Sequence, residues 1–328
     1  MNRSTLNPKL FEKDVEQMPT RQGYGEGLVI AGGQDERVVV LCADLTESTK
    51  SNLFKEKFPE RFVEIGVAEQ LLATVAAGMA NYGKIPFISS YAAFSPGRNW
   101  EQIRTTIALN DVPVKIAGAH AGLTVGPDGA THQQLEDMAL MRAMPNMVVI
   151  YPCDAIEARK ATVALAKTNK PGYLRLAREK TPIITIEETS FEIGKAEILV
   201  EYGHEVAIIA CGPLVYQALV AAKQLHDEGI STVVVNNHTI KPIDKVTILK
   251  VARNCGAIVT VEEHQTMGGM GSAVAEVVVN NFPVPMAFVG MPDTFGESGQ
   301  PGELLDKYGI NVGSIVKKVK QVLERKQR

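Results

Sequence analysis

A chain of 328 residues with 45% hydrophobic residues and a formal net charge of −3 can bury a sizeable core and is long enough for two domains. The charge balance gives no electrostatic reason to expect nucleic acid or a membrane surface as a partner, and no apolar run approaches the roughly 20 residues of a membrane span. Residues 1–22 lack the apolar core of a secretory leader, and Cys42, Cys153, Cys211 and Cys255 form no C-x-x-C pair, so reduced, buried thiols and a cytoplasmic setting are expected.

Residues 1–22 read as an N-terminal arm with little periodicity. A helix is expected from near Tyr24, and a β-branched run makes 37–42 a buried strand that ends at Ala43-Asp44-Leu45. Residues 62–65 form a short apolar strand. After the turn at Gly66 a helix runs through 71–80, with Glu69 in its first turn. The next strand, 85–89, leads to a turn region at 91–97 and a helix over 99–109. A strand at 112–117 precedes a Gly-rich loop at 118–131 and a helix from about 133 to 142, for which Thr131 is a candidate cap. A strand at 147–152, a helix at 155–167 and a strand at 172–176 complete the first half. Such alternation predicts a parallel sheet covered on both faces, with ligands at the carboxyl ends of its strands. The segments to search are therefore 44–48, Glu69, 91–94, 120–132 and Arg178.

The polar, acidic stretch 181–194 is the expected linker between a first domain of residues 23–180 and a second of 195–328. In the second, strands are expected at 206–212, 232–235, 257–261 and 285–289, with helices at 214–228, 272–279 and 312–325. The fold class is α/β: two consecutive domains with mostly parallel sheets.

Glu69 has almost nothing polar beside it except Gln70. A first-turn acid can simply complement the helix dipole; a desolvated carboxyl can instead be held for proton transfer. The loop at 118–131 is longer than most strand–helix connections. With the residue after it, it carries two of the chain's six histidines, His120 and His132, and also Asp128, a set suited to proton relay and hydrogen bonding to anions. His204, His226, His238 and His264 sit singly and read as surface or satisfied histidines. Gly268-Gly269-Met270-Gly271 lacks the spacing of a dinucleotide fingerprint and is better explained by close helix packing. Neither an H-E-x-x-H helix nor a Cys/His cluster indicates a metal.

Four segments then spell a pattern in order: F-V-E-I-G-V-A-E-Q at 62–70, residues 90–94, G-P-D-G-A-T-H-Q at 126–133 and L-R-L-A-R at 174–178. They resemble the pyrimidine-binding domain of transketolases and of 1-deoxy-D-xylulose-5-phosphate synthases. Glu262-Glu263-His264 and Phe295-Gly296-Glu297-Ser298-Gly299 resemble the carboxy-terminal domain of the same enzymes. The G-D-G and distant Asn that hold magnesium in this family are absent from the sequence. The chain thus resembles the C-terminal subunit of a split transketolase, which moves a two-carbon ketol unit between sugar phosphates.

That resemblance implies thiamine diphosphate bound across a subunit boundary, with Mg²⁺ held by an N-terminal partner subunit. It also implies a heterotetramer with two copies of each subunit. It assigns Glu69 to the pyrimidine ring nitrogen, Tyr91 and Phe94 to the platform beneath the pyrimidine, and Asp44 to the thiazole side. His120 and His132 become ligands of substrate oxygens and Asp128 the reader of a sugar hydroxyl. Arg178, Ser48 and Arg21 become the phosphate clamp. Thr46-Glu47 stand where many transketolases have Ala-Pro, Pro96-Gly97 interrupt the stretch after the platform, and Pro127 replaces a common glutamate; these departures bear on the sugar. A deoxyxylulose phosphate synthase half and the β-type subunit of a 2-oxo acid dehydrogenase are the neighbouring readings, the second opposed by the D-G-x-T-H-Q loop. A non-catalytic assembly subunit of the same fold is opposed by the joint presence of Glu69, His120, His132 and Arg178.

Overall fold

The computed structural model describes residues 6–326. Its first half runs β1 (Gln17–Pro19), α1 (Thr20–Gln34), β2 (Val38–Cys42), α2 (Asn52–Lys57), β3 (Phe62–Glu64), α3 (Glu69–Asn81) and β4 (Ile85–Tyr91). It continues through α4 (Trp100–Gln102), which passes into a π-helical turn at Ile103–Ala108, then β5 (Lys115–Ala119), α5 (Asp137–Arg142), β6 (Val148–Ile150), α6 (Ala155–Ala166), β7 (Gly172–Arg175) and β8 (Lys180–Pro182). The second half comprises β9 (Glu197–Glu201), β10 (Val206–Ala210), α7 (Leu214–Asp227), β11 (Thr232–Asn236), β12 (Thr239–Lys241), α8 (Lys245–Cys255), β13 (Ile258–Gln265), α9 (Met270–Asn281), β14 (Met286–Met291), α10 (Pro301–Lys307) and α11 (Val312–Lys326).

The two main sheets are ordered β12-β6-β7-β5-β4-β2-β3 and β14-β13-β10-β11-β9. Pairing is parallel except where β12 meets β6 and β9 meets β11, as expected of an α/β chain with mostly parallel sheets. All five residues of β2 are buried, as an interior strand covered on both faces requires. The parallel register aligns the strand ends: Cys42 lies opposite both Glu64 and Ser89, Tyr91 opposite Ala119, and Gly118 opposite Arg175. Segments that leave these strands therefore emerge along one edge.

Several local expectations change in three dimensions. The first helix starts at Thr20 rather than near Tyr24, because the Thr20 hydroxyl accepts the Ala177 N–H at 2.9 Å and docks the helix on the end of β7. The arm packs on its own chain: Leu6, Leu10 and Val15 are buried, and β1 pairs antiparallel with β8 at the start of the 181–194 connection. The helix expected from 133 begins at Asp137. Thr131 does not cap it; its hydroxyl bonds His132 Nδ1 at 2.9 Å, while the Gln133 amide donates to the carbonyls of Leu123 and Glu297. The strand expected at 257–261 extends to Gln265. On that extension the Glu262 carboxylate accepts the N–H groups of Met270 and Gly271, where a Cβ on Gly269 would lie 2.1 Å from Glu262 Oε2. Close packing at a helix start accounts for that glycine cluster.

All four cysteines are buried and free. His264 is buried and bonded to the Gln265 carbonyl at 2.7 Å; His238 is buried against Phe191 and Thr239. Among the described residues, no helix is long and apolar enough to cross a membrane.

Candidate active site at the carboxyl edge of the first sheet

Glu69 opens α3 after a turn at Gly66, whose φ of +81° suits glycine. Leu72, Ala73, Ala76 and Ala77 of the same helix are buried in the core beside Val39, Leu41 and Ile88. That packing draws the first turn down onto the sheet edge, and Glu69 is left only 2% exposed. Its surroundings are more polar than its sequence neighbours indicate. Arg98 Nη1 donates to Glu69 Oε2 at 2.6 Å, and Asn99 Nδ2 donates to the Glu69 carbonyl at 2.8 Å.

A chain of ring contacts leads away from this pair. The Arg98 guanidinium lies over the Phe94 ring, 4.6 Å from its centroid. Phe94 and Tyr91 are stacked at 6.1 Å, and Tyr91 stacks on His120 at 3.9 Å. His132 meets Phe94 edge-on at 5.3 Å and Tyr91 at 6.4 Å. At the far end Arg21 Nη1 lies 3.4 Å from His120 Nε2 and donates to the Ser48 carbonyl at 2.8 Å. The structure thus assembles Glu69, Tyr91, Phe94, His120, His132 and Arg21 from four different segments of the chain.

His120 directly follows β5 and has a positive φ of 54°, an uncommon conformation for a non-glycine residue. Burial, then the positive charges of Arg21 and Arg178 and the nearby His132, push its ring down to about 3. The ring is therefore neutral near pH 7. Arginine can only donate, so Nε2 accepts and the ring proton resides on Nδ1. Nδ1 is buried without an acceptor among the described residues. A polar atom in that state calls for a ligand or water acceptor.

The remaining candidates lie around this group. Arg178 Nη1 donates to the Val125 carbonyl and to Glu179 Oε1, both at 3.0 Å; its charge acts on His120 and on Arg21. The Ser48 carbonyl accepts from Arg21. Asp44 and Asp128 are exposed and have no direct contact with the rings among the described residues. The Asp44 N–H donates to Glu64 Oε1 at 2.8 Å.

Three participants escape a reading of residue types alone. Arg98 and Asn99 follow the turn at Pro96-Gly97, and only the folding back of that turn reveals their target. Glu64 ends β3 and accepts from the Asp44 and Gly66 N–H groups and the Thr46 hydroxyl. Burial opposes its ionisation, yet these bonds hold its carboxyl below the ordinary value. The signal available for Glu64 is its place as a strand-terminal acid just before the Gly66 turn.

The arrangement suits an aminopyrimidine: a buried carboxyl to meet a ring nitrogen, adjacent aromatic faces, and the neutral His120 ring beside arginines for an anionic, hydroxylated substrate. Among the described residues no group of three or more His, Cys, Asp or Glu is placed to hold a metal ion.

Comparison with known proteins points the same way. Residues 16–183 match the transketolase pyrimidine-binding domain and residues 194–315 the transketolase C-terminal domain. A Methanocaldococcus jannaschii protein provisionally named transketolase C-terminal section is 46% identical over 308 residues, which are 93% of this chain and 96% of that protein. The 6-deoxy-6-sulfo-D-fructose transketolase subunit of a Clostridium species is 39% identical over 96% of this chain and 98% of that subunit. A solved structure described as a split gene transketolase, inactive beta4 tetramer, superposes with a TM-score of 0.89 at 45% identity, covering 94% of this chain and 99% of that one. With both domains matched and such relatives aligned nearly end to end, the chain belongs to the transketolase family as a C-terminal section of the split kind.

Proposed function

We propose that this chain is the C-terminal subunit of a two-chain transketolase that transfers a two-carbon ketol group between sugar phosphates. Membership of the family implies dependence on thiamine diphosphate, which supplies the carbon centre that carries the transferred unit. The carrying observation is the buried Glu69 carboxyl at the start of α3, joined through Arg98 to the stacked Phe94, Tyr91 and His120 rings. In this reading Glu69 shares a proton with the pyrimidine ring nitrogen. Tyr91 and Phe94 hold the pyrimidine plane and exclude water from the carboxylate. His120, neutral and protonated on Nδ1, donates to a substrate oxygen, and His132 faces the same space from the edge of the two aromatic rings. Arg21 and Arg178 provide positive charge for the anionic end of the sugar. Asp128 and Asp44 are assigned to a sugar hydroxyl and to the thiazole side.

The diphosphate and Mg²⁺ belong, in this proposal, to an N-terminal partner subunit, with two copies of each subunit in the complex. Supporting this, Val67 and Leu71, which flank Glu69, are 72% and 51% exposed, an unusual apolar surface beside a buried acid. The test is to mix the purified chain with its N-terminal partner, thiamine diphosphate and Mg²⁺, and to assay a panel of sugar phosphates together with a 6-sulfo sugar, the class named for the Clostridium relative. Transfer is expected in the mixture alone, and Glu69→Ala should remove it. Robust transfer by this chain without a partner, or full turnover by Glu69→Ala, refutes the assignment.

A further inference from the structure

Arg98 is a charged side chain that touches both Glu69 and Phe94. Its Nη1 holds Glu69 Oε2 at 2.6 Å and its guanidinium covers Phe94 at 4.6 Å. The two partners differ in environment: the Arg98 side chain is 47% exposed and that of Glu69 is 2% exposed. A surface arginine that reaches a buried acid in this way needs a backbone built for it.

The turn at 95–99 supplies that backbone. The Gly97 N–H donates to the Ala92 carbonyl and the Arg98 N–H to the Phe94 carbonyl, at 3.0 and 3.1 Å. A Cβ on Gly97 would lie 2.1 Å from the Ala93 carbonyl oxygen, so glycine is required for the chain to double back this tightly. Asn99 fastens the same turn to α3, donating to the Glu69 carbonyl at 2.8 Å and to Ser95 Oγ at 3.2 Å. The segment therefore grips Glu69 by its main chain and by its carboxylate. Glu69 Oε1 accepts no hydrogen bond from the described residues, so only one oxygen is engaged.

We propose that Arg98 is a positioning residue for Glu69: braced on Phe94, it fixes Oε2 and so reserves Oε1 for the pyrimidine nitrogen. The inference rests on the reading of Glu69 as the aminopyrimidine partner. A carboxylate pinned at one oxygen has lost its main torsional freedom, and a planar fork backed by an aromatic ring holds that geometry better than an ammonium does. Misplacing a reacting group by about 1 Å can cost on the order of 100-fold in rate.

The experiment uses the reconstituted complex of this chain with its N-terminal partner and Mg²⁺. It measures the Kd of thiamine diphosphate by calorimetry, and the rate of hydrogen–deuterium exchange at the thiazolium C2 position of the bound cofactor by acid quench and NMR. For Arg98→Ala, Kd should stay within about 3-fold while exchange at saturation slows by roughly 10-fold or more; Arg98→Lys should recover part of that loss. Exchange at the wild-type rate in Arg98→Ala, or a slowing that saturating cofactor abolishes, overturns the positioning role. If Arg98→Ala does not assemble, Arg98→Lys decides: slowed exchange supports the role and a wild-type rate overturns it. A wild-type complex that neither binds the cofactor nor catalyses exchange overturns the cofactor reading and this inference with it. A competent wild-type complex with unaltered Arg98 variants overturns the role of Arg98 alone.

Discussion

His120 shows how one residue's surroundings settle its chemistry. Its histidine type and its place after a strand were legible in the sequence, but its charge state was not. That state follows from burial, from Arg21 and Arg178 brought in from two other segments, and from His132 at the far end of the same loop. A folded value near 3 lies below the unfolded value of 6.5, so the unfolded chain binds more protons there. The stability His120 contributes is fully present above pH 6.5 and is lost as pH falls from 6.5 toward 3. Urea titrations at pH 7 and pH 5 should show His120→Gln losing less stability on acidification than the wild type, by on the order of 2 kcal/mol. An equal loss in both proteins would mean that the ring is not held neutral. Glu157 and Glu262 run the opposite way: burial raises both to about 7, so their contribution is complete below 4.5 and is lost as pH rises through 7.

At the scale of the element, α3 divides its residues between two tasks. Leu72 is fully buried against the sheet, whereas Leu71, next in sequence, is 51% exposed. The helical period makes this division, because neighbours lie about 100° apart around the axis. Leu72→Ala should destabilise the isolated chain by about 2–5 kcal/mol through the cavity it leaves. Leu71→Lys should leave that stability within about 0.5 kcal/mol yet weaken association with the partner subunit. Chemical denaturation and analytical ultracentrifugation read the two effects separately; a Leu71→Lys chain that assembles normally would exclude this face from the interface. The sequence shows the helix and its start plainly. It does not show Arg98 above the first turn, since that contact is made by a turn whose own residues carry no helical or strand period.

Across the whole molecule, the two halves are interlocked rather than merely joined. β12 leaves the second half to complete the first sheet beside β6, and Lys241 at its end donates to the carbonyls of Arg142 and Met144. Gln133 and Thr124 of the first half bond to Glu297 and Glu263 of the second. Calorimetry of the isolated chain should therefore give one cooperative transition, not two; two well-separated transitions would show that the halves unfold independently. The same interlocking explains why β12 escapes a reading in chain order. Its three residues carry too little pattern to mark a strand, and its partner lies some ninety positions upstream.

Sequence alone determined the strand–helix alternation, the edge of the first sheet where the unusual residues collect, and the family signature. Those properties are written locally, in β-branched runs, glycine turns and short motifs. Tertiary structure decided which side chains touch: the stacking of Tyr91 on His120, the arginines that reach His120 and Glu69, and the exposure of Asp44 and Asp128. Such contacts depend on close approach between segments that fold from different strands, and residue type sets no distance between them. Glu69 stands on both sides of this division. Its place at the start of a helix is a sequence property, and its grip by Arg98 is a tertiary one.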